Sequence, residues 1–264
     1  MLTIQPKVFL IAHTTTTPEY AAALKELGGE PEEIPTDTAP SAGKESELLI
    51  GLAGRTCYKS FKAGLNPNVT KVRSDDFEYI GNVLKQKHGS IFEHASVSFL
   101  LTDVSRVVTH ELVRHRAGTA FSQESMRYVR IEEFRMHIPE CIRELGPEAV
   151  QLFRDAVDQS EAYTKKISAL IDWDNITFHK KKELTSALRR IAPAGAATNI
   201  VVTANHRAWR HMIEMRTSYG AEEEIRIVFA LIAEELKRAF PAIYQDMFAN
   251  TDEPAAYEFE NSKV

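Results

Sequence analysis

The sequence predicts an α+β fold, in which helices predominate in a single domain around a mixed or antiparallel central sheet. Long stretches of the chain repeat apolar side chains with the period of a helix, which predicts amphipathic helices. Between them lie short apolar runs rich in valine and isoleucine, which predict strands. With 264 residues, the chain is long enough to bury a sizeable core within one domain. We therefore expect one helix-rich domain over residues 1–250 and a polar C-terminal tail over 251–264.

The predicted elements follow one another along the whole domain. Strands are expected at 7–12, where the strand should be buried, and at 94–103 and 199–204. Helices are expected over 18–28, 46–61, 74–88, 104–116, 147–170, 178–190, 205–219 and 221–240. Ser74 and Asp103 are the expected N-caps of the third and fourth helices, and Gly28 and Gly89 should end the first and third. The Pro-rich, acidic stretch 29–45 is expected to be a surface loop, and the tail from Asn250 to be disordered.

The composition argues against several classes of function. The formal net charge is −5, which disfavours electrostatic binding of nucleic acid by the protein surface as a whole. No nucleic-acid partner is therefore expected. No run reaches the ~18 apolar residues needed to span a bilayer, and residues 1–17 lack the pattern of a secretory signal. Cys57 and Cys141 form neither a CxxC pair nor a disulfide framework. We expect a cytoplasmic protein without a membrane segment, whose cysteines serve packing.

The stretch RHRAGTAFSQESMRY, from Arg114 to Tyr128, concentrates positive charge in an acidic chain. Adjacent cations repel one another unless an anion or solvent relieves the cluster. Residues 117–125 are small and polar, so we expect a loop that exposes backbone N–H groups beside the arginines, as in a phosphate cradle. Ser125 and Arg127 are suited to donate to one phosphate group. No GxSxG elbow surrounds the serines of this stretch, so serine catalysis is not expected.

Two predicted helices place ionisable side chains within apolar faces. On 104–116, Glu111 and His115 fall inside the apolar stripe, one helical turn apart. On 205–216, Arg216 falls near the middle of the stripe, and a guanidinium cannot shed its charge. Glu111 and His115 either satisfy each other beneath a solvated arginine edge or belong to a ligand site. Arg216 likewise either forms an internal salt bridge with one of the many nearby glutamates, for example among 222–224, or faces a ligand.

The histidines near residue 90 do not predict a metal site. His88 and His94 flank Glu93, but the spacing is not that of the HExxH motif, and the segment crosses from a helix end into a strand. No metal ligand is therefore expected.

Several blocks of the sequence together resemble the flavin-dependent thymidylate synthase family. Arg114-His115-Arg116 followed by Ser125-Met126-Arg127-Tyr128 is similar to the family signature, with one residue more than usual between RHR and the serine. Further similar blocks, in family order, are GRTCYKSF, HGSIFEHASVSF, VTHELVRHR, LRRIAP, NHRAWRHMIEMR and AEEEIR. Gly220 departs from the pattern, because the family commonly has a histidine there.

The resemblance implies a reaction and a set of ligands. It implies a homotetramer that holds FAD between subunits, with dUMP stacked on the isoalloxazine ring. Methylenetetrahydrofolate would be the one-carbon donor, and NADPH would reduce the FAD that serves as the hydride source. The expected reaction is the reductive methylation of dUMP to dTMP.

The resemblance also implies roles for individual residues. The FAD contacts would be Ser90, Glu93, Arg114, His115, Arg116, Gln123, Asn205, His206, Arg207 and His211. The dUMP contacts would be Glu111, Leu112, Val113, Arg114, Gln123, Glu124, Ser125, Met126, Arg127, Arg189 and Arg216. Arg216 would act in catalysis by stabilising negative charge on the pyrimidine, and His88 would lie near folate and flavin.

The residues leave two alternatives open. A different flavin or nucleotide enzyme could share the phosphate cradle and methylate another substrate. A nucleic-acid binder could use the basic helices that contain RHR and HRAWRH, although the acidic net charge opposes it. A yellow purified protein with flavin absorption bands would separate the enzymes from the nucleic-acid binder.

Overall fold

A computed structural model describes residues 2–29, 43–61, 66–68, 71–73, 75–129, 133–253, 256–262 and 264. The strands are β1 (Leu2–Thr3), β2 (Lys7–His13), β3 (Ser96–Ser105), β4 (Thr119–Gln123), β5 (Arg135–Met136), β6 (Ala197–Asn205), β7 (Met247–Ala249) and β8 (Tyr257–Phe259). The helices are α1 (Tyr20–Glu26), α2 (Lys44–Tyr58), α3 (Asp76–Lys85), α4 (Arg106–Leu112), α5 (Glu140–Glu144), α6 (Pro147–Ser168), α7 (Phe178–Leu188), α8 (His206–Thr217) and α9 (Glu223–Ala239), with a short 3₁₀ helix at Gly89–Glu93.

The central sheet has four antiparallel strands in the order β2-β3-β6-β4, which confirms the predicted helix-rich α+β fold and resolves its sheet as antiparallel. Phe99 of β3 lies opposite Leu10 on one side and Val202 on the other, and Val202 lies opposite Phe121 of β4. Because side chains alternate along a strand, this row faces one side of the sheet. Two smaller pairs accompany the sheet, β1 with β5 in parallel and β7 with β8 antiparallel.

The core fills the space between this face of the sheet and helices α8 and α9. Trp209 of α8 is fully buried, packs edge-on against Phe99 at 5.2 Å between ring centroids, and donates its indole N–H to the Val97 carbonyl at 3.2 Å. From α9, Phe229 and Ile232 are also fully buried in this cluster. Burying aromatic and branched side chains of this size supplies most of the folding free energy. The apolar stripe predicted on 205–216 is therefore confirmed as a core face.

The strand predicted at 7–12 exists, but the prediction that it is buried is wrong. β2 lies at the edge of the sheet, and Phe9 and Ile11 on its outer face are 48% and 50% exposed. Their neighbours Val8 and Leu10 pack against the core. An apolar run of this length is compatible with either a central or an edge strand, because periodicity alone does not report the number of neighbours.

The caps of two helices differ from the prediction. The carboxylate of Asp75 caps α3 by accepting the backbone N–H groups of Phe77 and Glu78, while Ser74 lies outside the described residues. α3 ends at Lys85, before Gly89, which instead begins the 3₁₀ helix. β3 runs on to Ser105, whose hydroxyl caps α4 by accepting the Val108 N–H at 3.1 Å.

Asp103, the other predicted cap, is bound elsewhere. It has a left-handed backbone with φ +57 and an ion pair with Arg135. The α-helix predicted over 104–116 is consequently shorter, because its first two residues belong to the strand and residues 113–116 follow its end.

Residues 119–123 form strand β4, so the prediction of a loop over 117–125 is wrong for this part. β4 pairs with β6 through the register Thr119 to Ala204 and Gln123 to Ile200. Backbone pairing with an available sheet edge and burial of Phe121 outweigh the weak strand propensity of small polar residues.

The prediction of a disordered tail from Asn250 is also wrong. β7 and β8 pair, and Phe259, Asn261 and Val264 are buried. The predicted surface loop at 29–45 falls almost entirely outside the described residues. Within the part of the chain that the structure covers, no helix has the length and apolar character to cross a membrane.

Candidate active site

Arg216 is held by two residues that come from a different helix and the turn that follows it. Its Nη1 donates to the Glu111 carboxylate at 2.7 Å, and its Nη2 donates to the Glu111 carbonyl at 3.3 Å. Its Nε donates to Nε2 of His115 at 2.8 Å. The guanidinium is thereby fixed in orientation while its side chain stays 17% exposed. Of the two interpretations of Arg216, the internal salt bridge is confirmed, but its partner is Glu111 and not a glutamate of 222–224. The guanidinium is also partly exposed, so a ligand can still reach it.

The geometry defines the protonation of His115. Since Nε2 accepts from Arg216, the ring is neutral and its proton lies on Nδ1. Burial, the nearby Arg216 charge and His211 lower the pKa of His115 to about 4. The His211 ring packs edge-on at 6.0 Å from the His115 ring. Glu111 and His115 thus both accept hydrogen bonds from Arg216. The interpretation in which Glu111 and His115 pair only with each other is wrong.

Beyond this cluster, four arginines carry charge that no residue in the described part of the chain neutralises. Arg114 and Arg116 follow α4, Arg127 follows β4, and Arg189 follows α7. All four are exposed, and none forms an ion pair with another described residue. In a protein with a net charge of −5, such cations are available to an anionic ligand.

A contact between Gly118 and Asn205 connects the turn that follows α4, which contains Arg114-His115-Arg116, to the start of α8. The Asn205 side chain caps α8 by accepting the Ala208 N–H at 2.8 Å, and its backbone N–H donates to the Gly118 carbonyl at 3.1 Å. Gly118 has φ +68, and a Cβ built there would lie 2.4 Å from Nδ2 of Asn205. Only glycine permits both this backbone conformation and this approach.

A second group of predicted residues lies on the 3₁₀ helix and the first turn of α8. Arg207 donates to the Glu93 carboxylate at 2.5 Å, and both side chains are about half exposed. Ser90 is exposed on the same 3₁₀ helix. His88 precedes it and stacks on Tyr58 of α2, with the Tyr58 hydroxyl 2.8 Å from Nδ1 of His88. Sequence reasoning missed Tyr58, although it lies in the block GRTCYKSF.

The residues predicted to bind dUMP surround the end of β4. Gln123 donates from its amide to the Thr109 hydroxyl at 3.0 Å, and Glu124 accepts from the Asn199 amide at 2.9 Å. Ser125 accepts the Arg127 backbone N–H at 3.3 Å. Leu112 and Met126 have buried side chains and Val113 is partly buried, so Leu112 in particular serves the core.

Arg127 and Arg189 line two different cavities, although Met126, the neighbour of Arg127, lines the same cavity as Arg189. Arg127 lines a cavity of about 410 Å³ with Lys182 and Arg190, which we name the Arg127 cavity. Arg189 lines a separate cavity of about 510 Å³ with Met126 and Trp173, which we name the Arg189 cavity. Two residues assigned to one nucleotide thus line different cavities of a single subunit.

His206 corrects one predicted FAD contact. The side chain is fully buried, and its Nδ1 lies 3.1 Å from the Tyr244 hydroxyl. Burial and the charge of Arg210 lower the pKa of His206 to about 3, so the ring is neutral. Its ring packs edge-on against Phe240 at 4.7 Å. His206 is a core residue, and only its neighbours Asn205 and Arg207 reach the surface.

The structure also contains a buried ion pair that sequence reasoning missed. Arg210 of α8 makes two hydrogen bonds to Asp246, at 2.7 and 2.9 Å, and is 2% exposed. The helical spacing of the sequence could have predicted that Arg210 is buried. Four buried residues of α8 recur at this spacing, namely His206, Arg210, Ile213 and Thr217. Among the described residues, no group of three or more His, Cys, Asp or Glu could hold a metal ion.

Comparison with known proteins identifies the family. The profile of the family described as "Thymidylate synthase complementing protein" matches residues 41–242. The chain is 36% identical over 221 residues to a flavin-dependent thymidylate synthase of Mycolicibacterium vanbaalenii, covering 82% of this chain and 84% of the relative. It is 37% identical over 203 residues to one of Mycobacteroides abscessus, covering 75% and 78%. It is 35% identical over 210 residues to one of Corynebacterium efficiens, covering 78% and 81%.

These matches include the α4–β4 region and α8, which supply Glu111, His115 and Arg216. The chain therefore belongs to the flavin-dependent thymidylate synthases, a family of FAD-dependent methyltransferases.

Proposed function

We propose that this protein converts dUMP to dTMP by reductive methylation, with methylenetetrahydrofolate as the one-carbon donor and NADPH-reduced FAD as the hydride source. The single observation that carries the proposal is the arrangement of Arg216, Glu111 and His115. A guanidinium held in place by a carboxylate and a neutral imidazole is a preorganised positive charge. Family membership gives this charge its substrate, a pyrimidine that must become nucleophilic at C5.

Arg216 is the proposed catalytic residue. As the uracil ring is activated, negative charge develops on its carbonyl oxygens and N3. The Arg216 guanidinium stabilises this charge without having to reorient, because Glu111 and His115 already hold it. No enzyme thiolate is needed in this scheme. Cys57 and Cys141 are both exposed and free, so the expectation that they serve packing is wrong. Free thiols also accord with the proposed cytoplasmic location.

The surface beside this cluster fits FAD. Arg114 and Arg116 are exposed cations without a protein anion and can neutralise the pyrophosphate. The other proposed contacts are Ser90, Glu93, His115, Gln123, Asn205, Arg207 and His211. When bound, FAD supplies the hydride that completes the methyl group. His206 is not part of this proposal, because it lies in the core.

The nucleotide is proposed to bind around the end of β4. Arg127 and Ser125 contact the phosphate, while Gln123, Glu124 and the backbone of 111–114 surround the base and sugar. Arg189 provides a further charge for the phosphate. His88, which is positioned by stacking on Tyr58, is proposed to lie beside folate and flavin.

The separation of Arg127 from Arg189 supports a site built from more than one subunit. Within one chain the two arginines line different cavities, which is compatible with a nucleotide phosphate that receives one of them from a second subunit. We therefore propose a homotetramer with FAD and dUMP at subunit interfaces. The half-exposed apolar side chains Phe9 and Ile11 are suited to be covered by such contacts.

The decisive experiment is an anaerobic assay with the purified protein. dTMP should form from dUMP, methylenetetrahydrofolate and NADPH with FAD-loaded enzyme, and should be absent when any one of the three is omitted. Release of tritium from 5-tritiated dUMP should parallel dTMP formation. A yellow protein that oxidises NADPH yet releases no tritium would show that the methylated substrate is a different molecule.

A further inference from the structure

The C-terminal segment, described over residues 257–262 and at Val264, begins beside the end of helix α8 and ends near the proposed flavin site. At its start, the Tyr257 backbone N–H donates to the Thr217 hydroxyl at 2.8 Å, and this hydroxyl donates to the Ile213 carbonyl at 2.8 Å within α8. Thr217 is the last residue of α8, whereas Arg207 lies in its first turn. The segment therefore begins at the C-terminal end of the helix and proceeds toward the N-terminal end.

The middle of the segment is bound to the buried ion pair of Arg210 and Asp246. The Asn261 amide donates to the Asp246 carboxylate at 3.0 Å, and the Glu260 N–H donates to the Asp246 carbonyl at 3.1 Å. The Arg210 guanidinium lies 4.0 Å from the centre of the Phe259 ring. A buried, doubly bonded charge pair tolerates little displacement of its partners, so the path of the segment is fixed here.

The segment ends in contact with a residue that is proposed to bind FAD. Val264 is 5% exposed, and a Cβ built on Gly89 would lie 2.9 Å from its carbonyl carbon and 3.0 Å from Nε of Arg207. Gly89, Val264 and Arg207 are therefore in contact at one point. Arg207 in turn pairs with Glu93, at the other end of the 3₁₀ helix that Gly89 begins.

We infer that the C-terminal segment is a positioning element of the flavin site, which holds Arg207 and the 3₁₀ helix in the arrangement that receives FAD. Gly89 is the residue whose missing side chain allows this approach. The inference rests on the proposed function only in assigning Arg207, Ser90 and Glu93 to FAD. It adds residues 257–264 and Gly89, which lie outside that set of contacts.

The first test is deletion of residues 261–264 from the full chain. FAD affinity, measured by quenching of flavin fluorescence on titration into the apoprotein, should fall on the order of 10-fold or more, as for a misplaced charged contact. Turnover at saturating FAD should be retained, because Arg216, Glu111 and His115 are untouched. The matched control is Glu234→Gln, which lies outside the segment and removes only the charge of the group that accepts the Tyr257 hydroxyl. The control should bind FAD like the parent.

The second test uses Gly89→Ala, which places a methyl group in the contact. In the full chain it should weaken FAD binding by on the order of 10-fold. In the shortened chain its additional effect should be smaller, because the Val264 backbone is gone and the remaining close contact is with the long Arg207 side chain, which can move. A folded shortened chain with unchanged FAD affinity, or equal effects of Gly89→Ala in both chains, overturns the inference. If the shortened chain does not fold, the test is the FAD affinity of Gly89→Ala in the full chain. An FAD affinity equal to that of the parent then overturns the inference. Failure of the parent protein to bind FAD would instead overturn the proposed function.

Discussion

At the scale of single residues, Arg216 illustrates how one cation can be at once structural and available. Glu111 neutralises its charge in the resting protein, and neutral His115 occupies its Nε. The side chain is nevertheless only partly covered, so a pyrimidine can approach the guanidinium without breaking the core. Orientation by two partners is what separates this arginine from the solvated arginines at 114 and 116.

Arg216→Lys should abolish most dTMP synthesis without loss of flavin. Lysine keeps a charge but cannot bond Glu111 and His115 in the same fixed plane, so the preorganised charge is lost. We expect dTMP formation to fall on the order of 100-fold or more, while FAD affinity and NADPH oxidation by oxygen persist. Arg238→Lys, an exposed helix arginine paired with Glu235, is the matched control and should be active. Near-normal dTMP synthesis in Arg216→Lys would refute the catalytic role.

Arg127→Ala should weaken dUMP binding far more than FAD binding. The assignment of Arg127 to the nucleotide phosphate predicts a loss of roughly 10- to 100-fold in dUMP affinity, as for one charge-assisted contact. Arg190→Ala removes a cation from the same cavity and serves as the control. Calorimetric titrations of both ligands would measure the effect. Equal losses for FAD and dUMP would contradict the assignment.

The sequence predicted the chemistry of the site better than its contacts. Apolar stripes identified Glu111, His115 and Arg216 as unusually placed, and the structure brings these three together. Their pairing could not be predicted, because Arg216 and Glu111 are 105 positions apart and the local pattern does not report which helix ends face each other. For His206 the role was predicted and the position was not. The resemblance of its sequence block to the family implies an FAD contact, whereas its side chain lies in the core beside Arg210 and the ring of Phe240.

At the scale of elements, helix α2 contains a buried carboxyl group that links two distant parts of the chain. Glu47 accepts the backbone N–H of Ala242, just beyond α9, at 2.8 Å. Burial raises the pKa of Glu47 to about 7, against the opposing effects of the Ala242 N–H and Lys44. The carboxyl group is therefore protonated at mildly acidic pH and must ionise within the protein as the pH rises.

Glu47→Gln should make the stability less sensitive to a rise in pH from 4.5 to about 7. The folded-state pKa lies above the ordinary 4.5, so the stabilising contribution of Glu47 is full below pH 4.5 and is lost as the pH rises through about 7. Glutamine cannot ionise and keeps the acceptor. Relative to the parent, the variant should gain up to about 3 kcal/mol in unfolding free energy between pH 4.5 and pH 8. Urea unfolding at several pH values measures this, with Glu45→Gln in the same helix as the control. A pH-independent difference between Glu47→Gln and the parent would show that Glu47 is not the titrating group.

The elements that sequence analysis missed all depend on distant partners. β4 has small polar residues of weak strand propensity, and it becomes a strand because β6 offers a free edge. β8 and the residues after it are ordered because Arg210 and Asp246 lie beneath them. By contrast, α6, α7, α8 and α9 follow from periodicity in their own sequence, and they appear within a few residues of the predicted bounds.

At the scale of the whole molecule, the separate positions of Arg127 and Arg189 predict how subunits cooperate. A site that takes Arg127 from one subunit and Arg189 from another fails in either single-variant oligomer. When Arg127→Ala and Arg189→Ala chains are co-expressed in equal amounts and assemble at random, about a quarter of the sites receive both arginines. We therefore expect two nearly inactive variants to regain about a quarter of the parental dTMP synthesis when mixed. No recovery in mixed oligomers, confirmed by mass spectrometry, would place both arginines in the same subunit.

The buried position of Val264 has a practical consequence for anyone who joins another polypeptide to this protein. A reporter or affinity tag attached after Val264 would have to begin beside Gly89 and Arg207, because a Cβ on Gly89 would already lie 2.9 Å from the Val264 carbonyl carbon. Leu2, at the other end of the described chain, is 49% exposed and lies in a two-residue strand at the surface. Fusions ahead of Leu2 should therefore preserve a yellow enzyme, whereas fusions after Val264 should yield pale preparations that regain colour when a protease removes the appended sequence.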